Sequence, residues 1–415
     1  MIDIKKIRDD WRGVAVNLER RGVGEKAVED LWKADKQWIE LSQEVEELRA
    51  EQNKANEVVA AANKKERADL ISDLKNISAQ IKKGDNELNK CEIMRDKLWR
   101  ALPNIIFDDV PTGGEGDAEL LAESKALVPE FDFEAKSYLE LLPNSVDIER
   151  AAKVSGSRFV YLKNQLARLE LGLVSFVLDC LIEAGFDAVI PPVLIKEKAM
   201  AGMGYLDHDG DEIYKTQDDL YLVGTSEQSI GPMHMGEVLD GSLPRRYVAY
   251  SSCFRREAGS HGKDVKGMLR VHQFNKVEMF SFCSPSESEK EHEHMVKQQQ
   301  LIMDALLLPY RVIKLAAGDL GASSAKTYDV ETWMPGENKF RETHSTSNTT
   351  DFQARRLNIR IKGGEKAHML NGTAVAVGRI LIALIENHQQ EDGSIAIPDA
   401  LKSYLQFEKI EAEIK

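Results

Sequence analysis

Residues 254–264 read FRREAGSHGKD and residues 270–278 read RVHQFNKVE. The pattern predicts two short β-rich arms that carry arginines, glycines, an aromatic ring and carboxylates. Arginine forks match the geometry of phosphates, and carboxylates match ammonium and hydroxyl groups. A hairpin with a solvated charged turn would explain the charges but not their interleaving with Phe254, Val271, Phe274 and Val277. The stretch therefore predicts a site that holds a nucleoside triphosphate beside a small polar substrate.

Length and composition fit a chain of two or three domains. The chain has 415 residues and a formal net charge of -14 at pH 7, which argues against a protein coated in basic surface for unspecific nucleic-acid binding. Its four cysteines form no C-x-x-C pair and are typical of reduced thiols. No apolar run approaches the length of a membrane span, and the first residues lack an apolar leader. We expect a soluble, cytoplasmic protein with no membrane partner.

The first 102 residues predict a long antiparallel helical hairpin. Apolar or small residues recur every three or four positions over 31–62 and again over 70–102, with polar residues between, and Pro103 ends the second run. The pattern is interrupted at Gln52, Gly84 and Arg95. At about 1.5 Å per residue, each helix of some 35 residues would extend roughly 50 Å.

Such an arm has two interpretations. It could be an oligomerisation coiled coil, or it could bind RNA phosphates through its cations. These cations are Lys54, Lys64, Lys65, Arg67, Lys75, Lys82 and Lys83.

The rest of the chain predicts an α+β domain. Residues 103–150 form a linker, since 108–117 are acidic and rich in turn formers. Residues 151–415 form the catalytic domain, in which helices over 162–184 and 287–307 accompany short strands over 186–190, 220–223, 247–250 and 276–282. This order predicts an antiparallel sheet flanked by helices.

Four blocks together resemble one family. The opening stretch resembles motif 2 of class II aminoacyl-tRNA synthetases, specifically the seryl-tRNA synthetases. LNGTAVAVGR at 370–379 with IENHQ at 385–389 resembles motif 3, VGTSE at 223–227 resembles the serine-binding T-x-E loop, and DFQARRLNIR at 351–360 is similar to a further signature. The resemblance covers nearly the whole chain, and the hairpin resembles the tRNA-binding arm of bacterial-type members, which recognises the long variable arm of its tRNA by shape.

The resemblance implies a two-step activity. L-serine and ATP, with Mg²⁺, would give seryl-adenylate, and the seryl group would pass to tRNA(Ser), with tRNA(Sec) an option that the family leaves open. A carboxylate is already a nucleophile at neutral pH, so the first step needs positioning and neutralised phosphate charge rather than a side-chain base. The helix, strand and proline order over 162–192 resembles motif 1, which implies a homodimer. A helix packed on the sheet of a monomer is the alternative.

The family's ATP site implies specific roles. Arg255 would hold the α-phosphate and the serine carboxylate, Glu257 the adenine amino group, Phe274 the adenine ring, and Arg270 and Arg379 the outer phosphates. The full ATP set by resemblance is Arg255, Arg256, Glu257, Arg270, Phe274, Glu342, Thr343, His344, Ser345 and Arg379. Of these, Glu342 and Ser345 would bind the metal, and the catalytic residues would be Arg255, Glu278 and Arg379.

The serine site implied by the resemblance is polar. It comprises Thr225, Ser226, Glu227, Glu278, Asn371 and Thr373. Glu278 would accept from the substrate hydroxyl or ammonium, and alanine and glycine would be rejected because that carboxylate would remain unpaired. Threonine would be excluded by volume.

The sequence departs from the family beside this site. Residues 342–350 read ETHSTSNTT where most relatives have E-x-S-S-C-S-N-C-T, so His344, Thr346 and Thr349 replace a serine and two cysteines. Thr373 also replaces the commoner serine. These changes bear on the shape of the amino-acid pocket, and serine remains the expected substrate.

Three alternative functions remain open to test. A paralogue that activates an amino acid for a carrier protein usually lacks the arm, which this chain keeps. A class II synthetase for another small amino acid is disfavoured by the T-x-E loop and Glu278. A non-catalytic RNA-binding derivative is expected to lose Arg255, Glu278 or Arg379, and all three are present.

Overall fold

The computed structural model describes residues 1–63, 65, 67–208, 210–258 and 267–413. These divide into two compact units, one formed by Ile2–Pro103 and the other by Met1 together with the chain from Asn104 onward. The turn of the opening stretch, residues 259–264, and Lys64 of the arm lie outside the described residues.

The smaller unit is helical. Its helices are α1 (Ile4–Glu19), α2 (Glu25–Ala61) and α3 (Arg67–Ala101). The long antiparallel hairpin α2–α3 confirms the prediction from the apolar spacing. Helix α1 was not predicted; it packs on α2 through Arg8, whose guanidinium donates to the buried carboxylate of Asp35 at 2.6 and 3.0 Å, and through stacking of Trp11 on Trp32.

The three interruptions of the hairpin seam each make a contact across the two helices. Gln52 donates its side-chain amide to Ser78 Oγ at 2.7 Å. The Arg95 guanidinium lies over the Trp38 ring, 4.1 Å from its centroid, which is cation–π geometry. A Cβ on Gly84 would lie 2.8 Å from a methyl of Val45, so glycine allows close approach there. All three breaks in the apolar pattern therefore lie within the seam and make contacts there.

The larger unit has the predicted α+β architecture. Its helices are α4 (Tyr138–Leu141), α5 (Ile148–Ser155), α6 (Asn164–Glu183), α7 (Glu197–Met203), α8 (Tyr205–His208), α9 (Glu227–Ile230), α10 (Ser288–Ala305), α11 (Phe352–Leu357), α12 (Val377–Asn387) and α13 (Asp399–Lys402). Its strands are β1 (Glu119–Glu123), β2 (Val146–Asp147), β3 (Tyr161–Leu162), β4 (Asp187–Val189), β5 (Leu194–Lys196), β6 (Leu220–Leu222), β7 (Val238–Leu239), β8 (Arg245–Phe254), β9 (Gln273–Cys283), β10 (Tyr310–Lys314), β11 (Lys326–Met334), β12 (Lys339–Asn348), β13 (Arg360–Ile361), β14 (His368–Ala376), β15 (Ile395–Ala396) and β16 (Lys409–Ile410).

One large sheet organises this unit. Within the described residues it has eight strands in the order β1-β10-β11-β12-β14-β9-β8-β4, antiparallel except for the β4–β8 edge. Strands β8 and β9 are the two arms predicted around residues 254–278, and β14 lies beside β9, with Thr373 opposite Glu278. The segment over 103–150 supplies the edge strand β1, which its acidic, turn-forming composition did not predict.

The main core lies on one face of the sheet. Along β9, Val277, Met279 and Cys283 point into a cluster that also contains apolar residues of α6, α10 and α12. The opposite face carries Lys276 and Glu278, which are buried as well. Over residues 276–279 the alternation of β9 therefore separates hydrocarbon from charge, while Phe280 and Phe282, further along the charged face, pack in a second apolar cluster. Among the described residues, no helix has both the length and the apolar character that crossing a membrane requires.

Truncating the core should destabilise the larger unit. Leu370 on β14 is fully buried at 0% exposure, so Leu370→Ala should lower the free energy of unfolding by about 2 to 5 kcal/mol, because lost methyl groups leave a cavity. Leu127 is 87% exposed, and Leu127→Ala should change that energy by about 0.5 kcal/mol or less. Urea unfolding followed by circular dichroism compares the two variants. Equal destabilisation would contradict the core position of Leu370.

Candidate active site

Two adjoining cavities open on the charged face of the sheet. The larger has a volume of about 540 Å³ and the smaller about 340 Å³. Their shared wall is formed by Tyr205, Thr225, Arg255, Lys276, Glu342 and Thr373. A group that binds in one cavity can therefore contact a group in the other.

The larger cavity combines apolar and cationic surface. Arg255 follows the end of β8, and its guanidinium centre lies 5.4 Å from the ring centroid of Phe274 on β9. Arg270 donates to Glu257 Oε2 at 2.7 Å, and Arg379 donates to the backbone oxygen of Glu342 at 2.8 Å. All three arginines line this cavity beside Met268, Leu269 and Val271. Guanidinium groups beside an apolar wall suit a molecule with phosphates and a flat ring.

Local backbone contacts hold the start of the predicted nucleotide-binding turn. The backbone NH of Arg256 donates to the backbone oxygen of Glu212 at 2.9 Å, and the backbone NH of Ala258 donates to Glu212 Oε1 at 2.8 Å. Glu257 between them has a φ of 50°, a left-handed conformation that few residues other than glycine adopt. In this backbone conformation, the Glu257 carboxylate forms an ion pair with Arg270.

The smaller cavity contains a buried charged cluster. Lys276 Nζ lies 2.7 Å from Glu278 Oε2, and the two residues are 5% and 1% exposed. Thr373 Oγ1 donates to the same carboxylate oxygen at 3.1 Å. Asn371 lines this cavity too. Glu278 therefore already has a cationic partner and a hydroxyl donor.

The second carboxylate of the smaller cavity, Glu227, has a different environment. It is 3% exposed, and Tyr205 donates its hydroxyl to Glu227 Oε1 at 2.6 Å. Burial, and next the neighbouring Glu278 charge, raise the pKa of Glu227 to about 7. Among the described residues, no Lys or Arg side chain lies within salt-bridge distance of Glu227. A cationic group entering the cavity would supply the missing positive charge.

A third buried carboxylate, Asp329 on β11, also lines the smaller cavity. It pairs in register with Ser345 on β12, and its Oδ1 has no hydrogen-bond partner among the described residues. Burial, followed by the charge of Glu342, raises the pKa of Asp329 to about 8. This wall of the cavity therefore concentrates carboxyl groups, of which Asp329 is largely neutral at pH 7.

Glu342 and Ser345 fit a magnesium site in which substrate phosphates also bind the ion. Both residues line the smaller cavity. Across the described ranges, no group of three or more His, Cys, Asp or Glu side chains could enclose a metal ion by itself. Mg²⁺ is usually held by one or two carboxylates together with substrate phosphates, so this sparse oxygen set suits an ion that arrives with a nucleotide.

The structure brings most of the predicted site residues to the two cavities. The lining residues among them are Thr225, Glu227, Arg255, Glu257, Arg270, Phe274, Glu278, Glu342, Thr343, Ser345, Asn371, Thr373 and Arg379. Ser226, Arg256 and His344 line neither cavity. Ser226 is fully buried where α9 begins, and the Arg256 backbone contacts Glu212 as described above.

His344 lies behind the cavity wall. It is buried, its Nδ1 is 2.8 Å from Thr343 Oγ1, and burial lowers its pKa to about 3, so the imidazole is neutral. Thr346 and Thr349 are buried outside both cavities as well. These three departures from the family pattern therefore occupy the layer behind the walls, whereas the fourth, Thr373, lines both cavities, and Ser345 and Ser347 face the smaller one.

Sequence reasoning missed Lys276, Tyr205 and Asp329. Lys276 had a usable signal, because it lies two positions before Glu278 on a strand and so shares its face. Tyr205 and Asp329 come from separate segments, α8 and β11, and no motif in the sequence singles them out.

Comparison with known proteins gives two family matches. Residues 1–106 match the seryl-tRNA synthetase N-terminal domain, and residues 212–388 match the tRNA synthetase class II core domain (G, H, P, S and T). The serine–tRNA ligase of Clavibacter michiganensis is 44% identical over 413 residues, which cover 98% of this chain and 96% of that protein.

Solved structures agree over the full length. Seryl-tRNA synthetase from Pyrococcus horikoshii complexed with ATP is 39% identical, with a TM-score of 0.93 and 100% coverage of both chains. Cytoplasmic serine–tRNA ligase from Naegleria fowleri in complex with AMP is 28% identical, with a TM-score of 0.89, covering 100% of this chain and 99% of that one. With the hairpin, the sheet and the two cavities all present, the chain belongs to the seryl-tRNA synthetase family.

Proposed function

We propose that this chain is a serine–tRNA ligase that activates L-serine with ATP and transfers the seryl group to tRNA(Ser). The observation that carries this proposal is the pairing of an arginine-lined cavity with a buried, carboxylate-rich one across a shared wall. The first has the chemistry for a nucleoside triphosphate and the second for a small amino acid. tRNA(Sec) is a further acceptor that the same chemistry would serve.

ATP would occupy the larger cavity. Phe274 offers a ring face for adenine, and Glu257 offers a carboxylate for its amino group. Arg270 and Arg379 would hold the outer phosphates. Both arginines are already paired with carboxylates, so binding exchanges one anionic partner for another rather than ordering free side chains.

Glu342 and Ser345 would hold Mg²⁺ beside the phosphates. When bound, the ion neutralises charge on the triphosphate. The chain's own contribution at this point is a carboxylate and a hydroxyl on one strand face, both lining the smaller cavity.

Arg255 would join the two substrates in the first step. It lines both cavities, so its guanidinium can contact the α-phosphate and the serine carboxylate together. The carboxylate oxygen attacks the α-phosphorus, the bond to the β-phosphate oxygen breaks, and pyrophosphate leaves. Because a carboxylate is nucleophilic at neutral pH, this step requires alignment and charge neutralisation and no general base.

The two carboxylates of the smaller cavity would divide the recognition of serine. Glu278 already has Lys276 as its cation, so it suits a neutral donor, the serine hydroxyl. Glu227 has no such cation among the residues that the structure describes, so it suits the serine ammonium. Thr225, Asn371 and Thr373 complete the wall. Alanine or glycine would leave Glu278 without its donor, which is costly for a buried charge.

The second step would need the arm. We propose that α2–α3 binds tRNA so that its 3′ ribose hydroxyl can take the seryl group from the adenylate. The described cations of the distal hairpin, Lys54, Lys65, Arg67, Lys75, Lys82 and Lys83, are exposed and available to phosphates.

We also propose a cytoplasmic homodimer. The face of α6 and the end of β4 leave large apolar side chains exposed, among them Leu171, Ile182 and Ile190, the last at 88%. Exposed apolar surface of this kind is typical of an interface. All four cysteines are free, which suits a reducing compartment.

Amino-acid-dependent ATP–pyrophosphate exchange tests the function. Across the twenty amino acids, serine should support exchange and threonine, alanine and glycine should not. Glu278→Gln should weaken serine-dependent exchange by about tenfold or more, since one charge-assisted hydrogen bond is lost. Glu386→Gln is the matched control, because Glu386 is a buried carboxylate outside both cavities. Exchange driven by threonine or alanine above serine would overturn the proposal.

Removing the distal arm should separate the two steps. Replacing residues 50–84 by a short glycine-rich turn keeps α1 and the base of the hairpin up to the Arg49–Asp85 ion pair, and deletes the exposed cations. Serine-dependent exchange should stay near wild type, because the cavities belong to the other unit. tRNA charging should be lost.

The same truncated protein distinguishes a tRNA-binding arm from an arm that serves oligomerisation. If the hairpin is an oligomerisation device, the mass in solution should change, and charging should fall only in proportion to dissociation. Normal charging by a shortened dimer would exclude the arm as the tRNA-binding element.

Serine use should depend on pH through Glu227. Its raised pKa of about 7 means that the carboxyl is largely neutral below pH 7, and a neutral acid cannot pair with the serine ammonium. The value of kcat/KM for serine should therefore fall as pH drops, approaching tenfold per pH unit well below 7. The KM for ATP should change much less. Exchange kinetics between pH 5.5 and 8.5 measure this, and Glu227→Gln should remove the acidic limb while weakening serine use throughout.

A further inference from the structure

Tyr205 lies where the two cavities meet. It is the first residue of α8, directly after Gly204, which ends α7 in a left-handed conformation with φ of 95°. Its side chain lines both cavities and packs beside two apolar clusters of the larger unit. The ring is therefore held by packing, and its position at the shared wall is fixed by the tight turn before it.

The hydroxyl of Tyr205 contacts one specific atom of the site. It donates to Glu227 Oε1 at 2.6 Å, a short hydrogen bond of the kind that a carboxylate acceptor forms. With Oε1 engaged, the rotation of the carboxylate is restricted, and Oε2 remains as the oxygen for a ligand. A buried carboxylate without this contact could turn toward Lys276 or Arg255, which also face it.

We propose that Tyr205 is a positioning residue for serine: its hydroxyl holds the Glu227 carboxylate in the orientation that receives the substrate ammonium. The inference rests on the proposed function only through the assignment of Glu227 to the ammonium group. Tyr205 itself does not take part in bond making or breaking.

The electrostatics around Glu227 support this role. The facing groups are the carboxylate of Glu278, the ammonium of Lys276 and the guanidinium of Arg255, together with Tyr205. Burial and Glu278 raise the pKa of Glu227, whereas the Tyr205 hydrogen bond lowers it. Without the hydroxyl, the pKa would rise further, and less of the carboxylate would be ionised at neutral pH.

Tyr205→Phe tests the proposal because it removes the hydroxyl and keeps the ring. The KM for serine should rise by roughly tenfold, as expected for loss of a hydrogen bond to a charged group, with little change in kcat or in the KM for ATP. The acidic limb of kcat/KM for serine should move to higher pH. Serine should also raise the melting temperature of the variant less than that of wild type, which is a readout independent of turnover.

Tyr221→Phe is the matched control. Its hydroxyl donates to Glu197 Oε2 at 3.2 Å, so the same atom is removed from another Tyr–Glu pair, and Tyr221 lines neither cavity. This variant should keep the wild-type KM for serine and the wild-type pH profile. If it shifted both as strongly as Tyr205→Phe, the effect would come from general loosening, and the proposal would be wrong.

Glu227→Gln distinguishes failure of this inference from failure of the assignment beneath it. If Glu227→Gln weakens serine use and Tyr205→Phe leaves the serine KM and the pH limb unchanged, Tyr205 is not a positioning residue. If Tyr205→Phe lowers kcat without raising the serine KM, the proposal is likewise overturned. If neither variant affects serine use, Glu227 does not contact the ammonium, whereas serine-dependent exchange by the wild type would still support the ligase function.

Discussion

The strand register around β9 is the constraint on which the site depends. In the observed register Glu278 lies opposite Ala249 on β8 and Thr373 on β14, which puts the carboxylate, Lys276 and the threonine hydroxyl on one face. A slip of one residue would turn Val277 to the cavity and drive both charges into the apolar cluster. Because Val277 and Met279 pack in the apolar cluster on the other face, the observed register also fixes the position of the two charges.

Burying several charged groups in one cavity costs desolvation free energy, and the ion pair between Lys276 and Glu278 offsets part of that cost. Lys276 and Glu278 neutralise each other at 2.7 Å, whereas Glu227 and Asp329 have raised pKa values because burial disfavours their charged forms. In our proposal, the ammonium group of serine would supply the positive charge that Glu227 lacks in the smaller cavity. In the larger cavity, where we propose that the phosphates bind, Arg270 and Arg379 are already paired with carboxylates, which limits the reorganisation needed on binding.

How far the sequence predicted this molecule can be judged from particular elements. The hairpin and the β8–β9 arms were predictable because their periods, near 3.5 and 2, are long and regular. Helix α1 and strand β1 were not predicted. Helix α1 is short compared with the two helices of the arm, and β1 has only five residues in a turn-rich segment. Tyr205 and Asp329 were missed because their proximity to the site is created by folding and leaves no trace in local spacing.

Strand β12 brings Glu342, Thr343 and Ser345 of the predicted motif to the cavities and leaves His344 outside them. In a regular strand, residues three apart point to opposite faces, so Glu342 and Ser345 should not share a cavity. They do, because the pairing of β11 with β12 shifts by one residue between Val330 and Glu331, which leaves Thr343 as the extra residue of a bulge. The same shift sends His344 away from the cavity. It also places the substituted residues 344 and 346 behind the wall, so the surface that would meet serine is still built from Ser345, Ser347 and Asn371. Substitutions in that rear layer alter the support of the pocket. Thr373, which replaces the commoner serine and lines both cavities, keeps a hydroxyl there, so the polar surface that we propose for serine is retained.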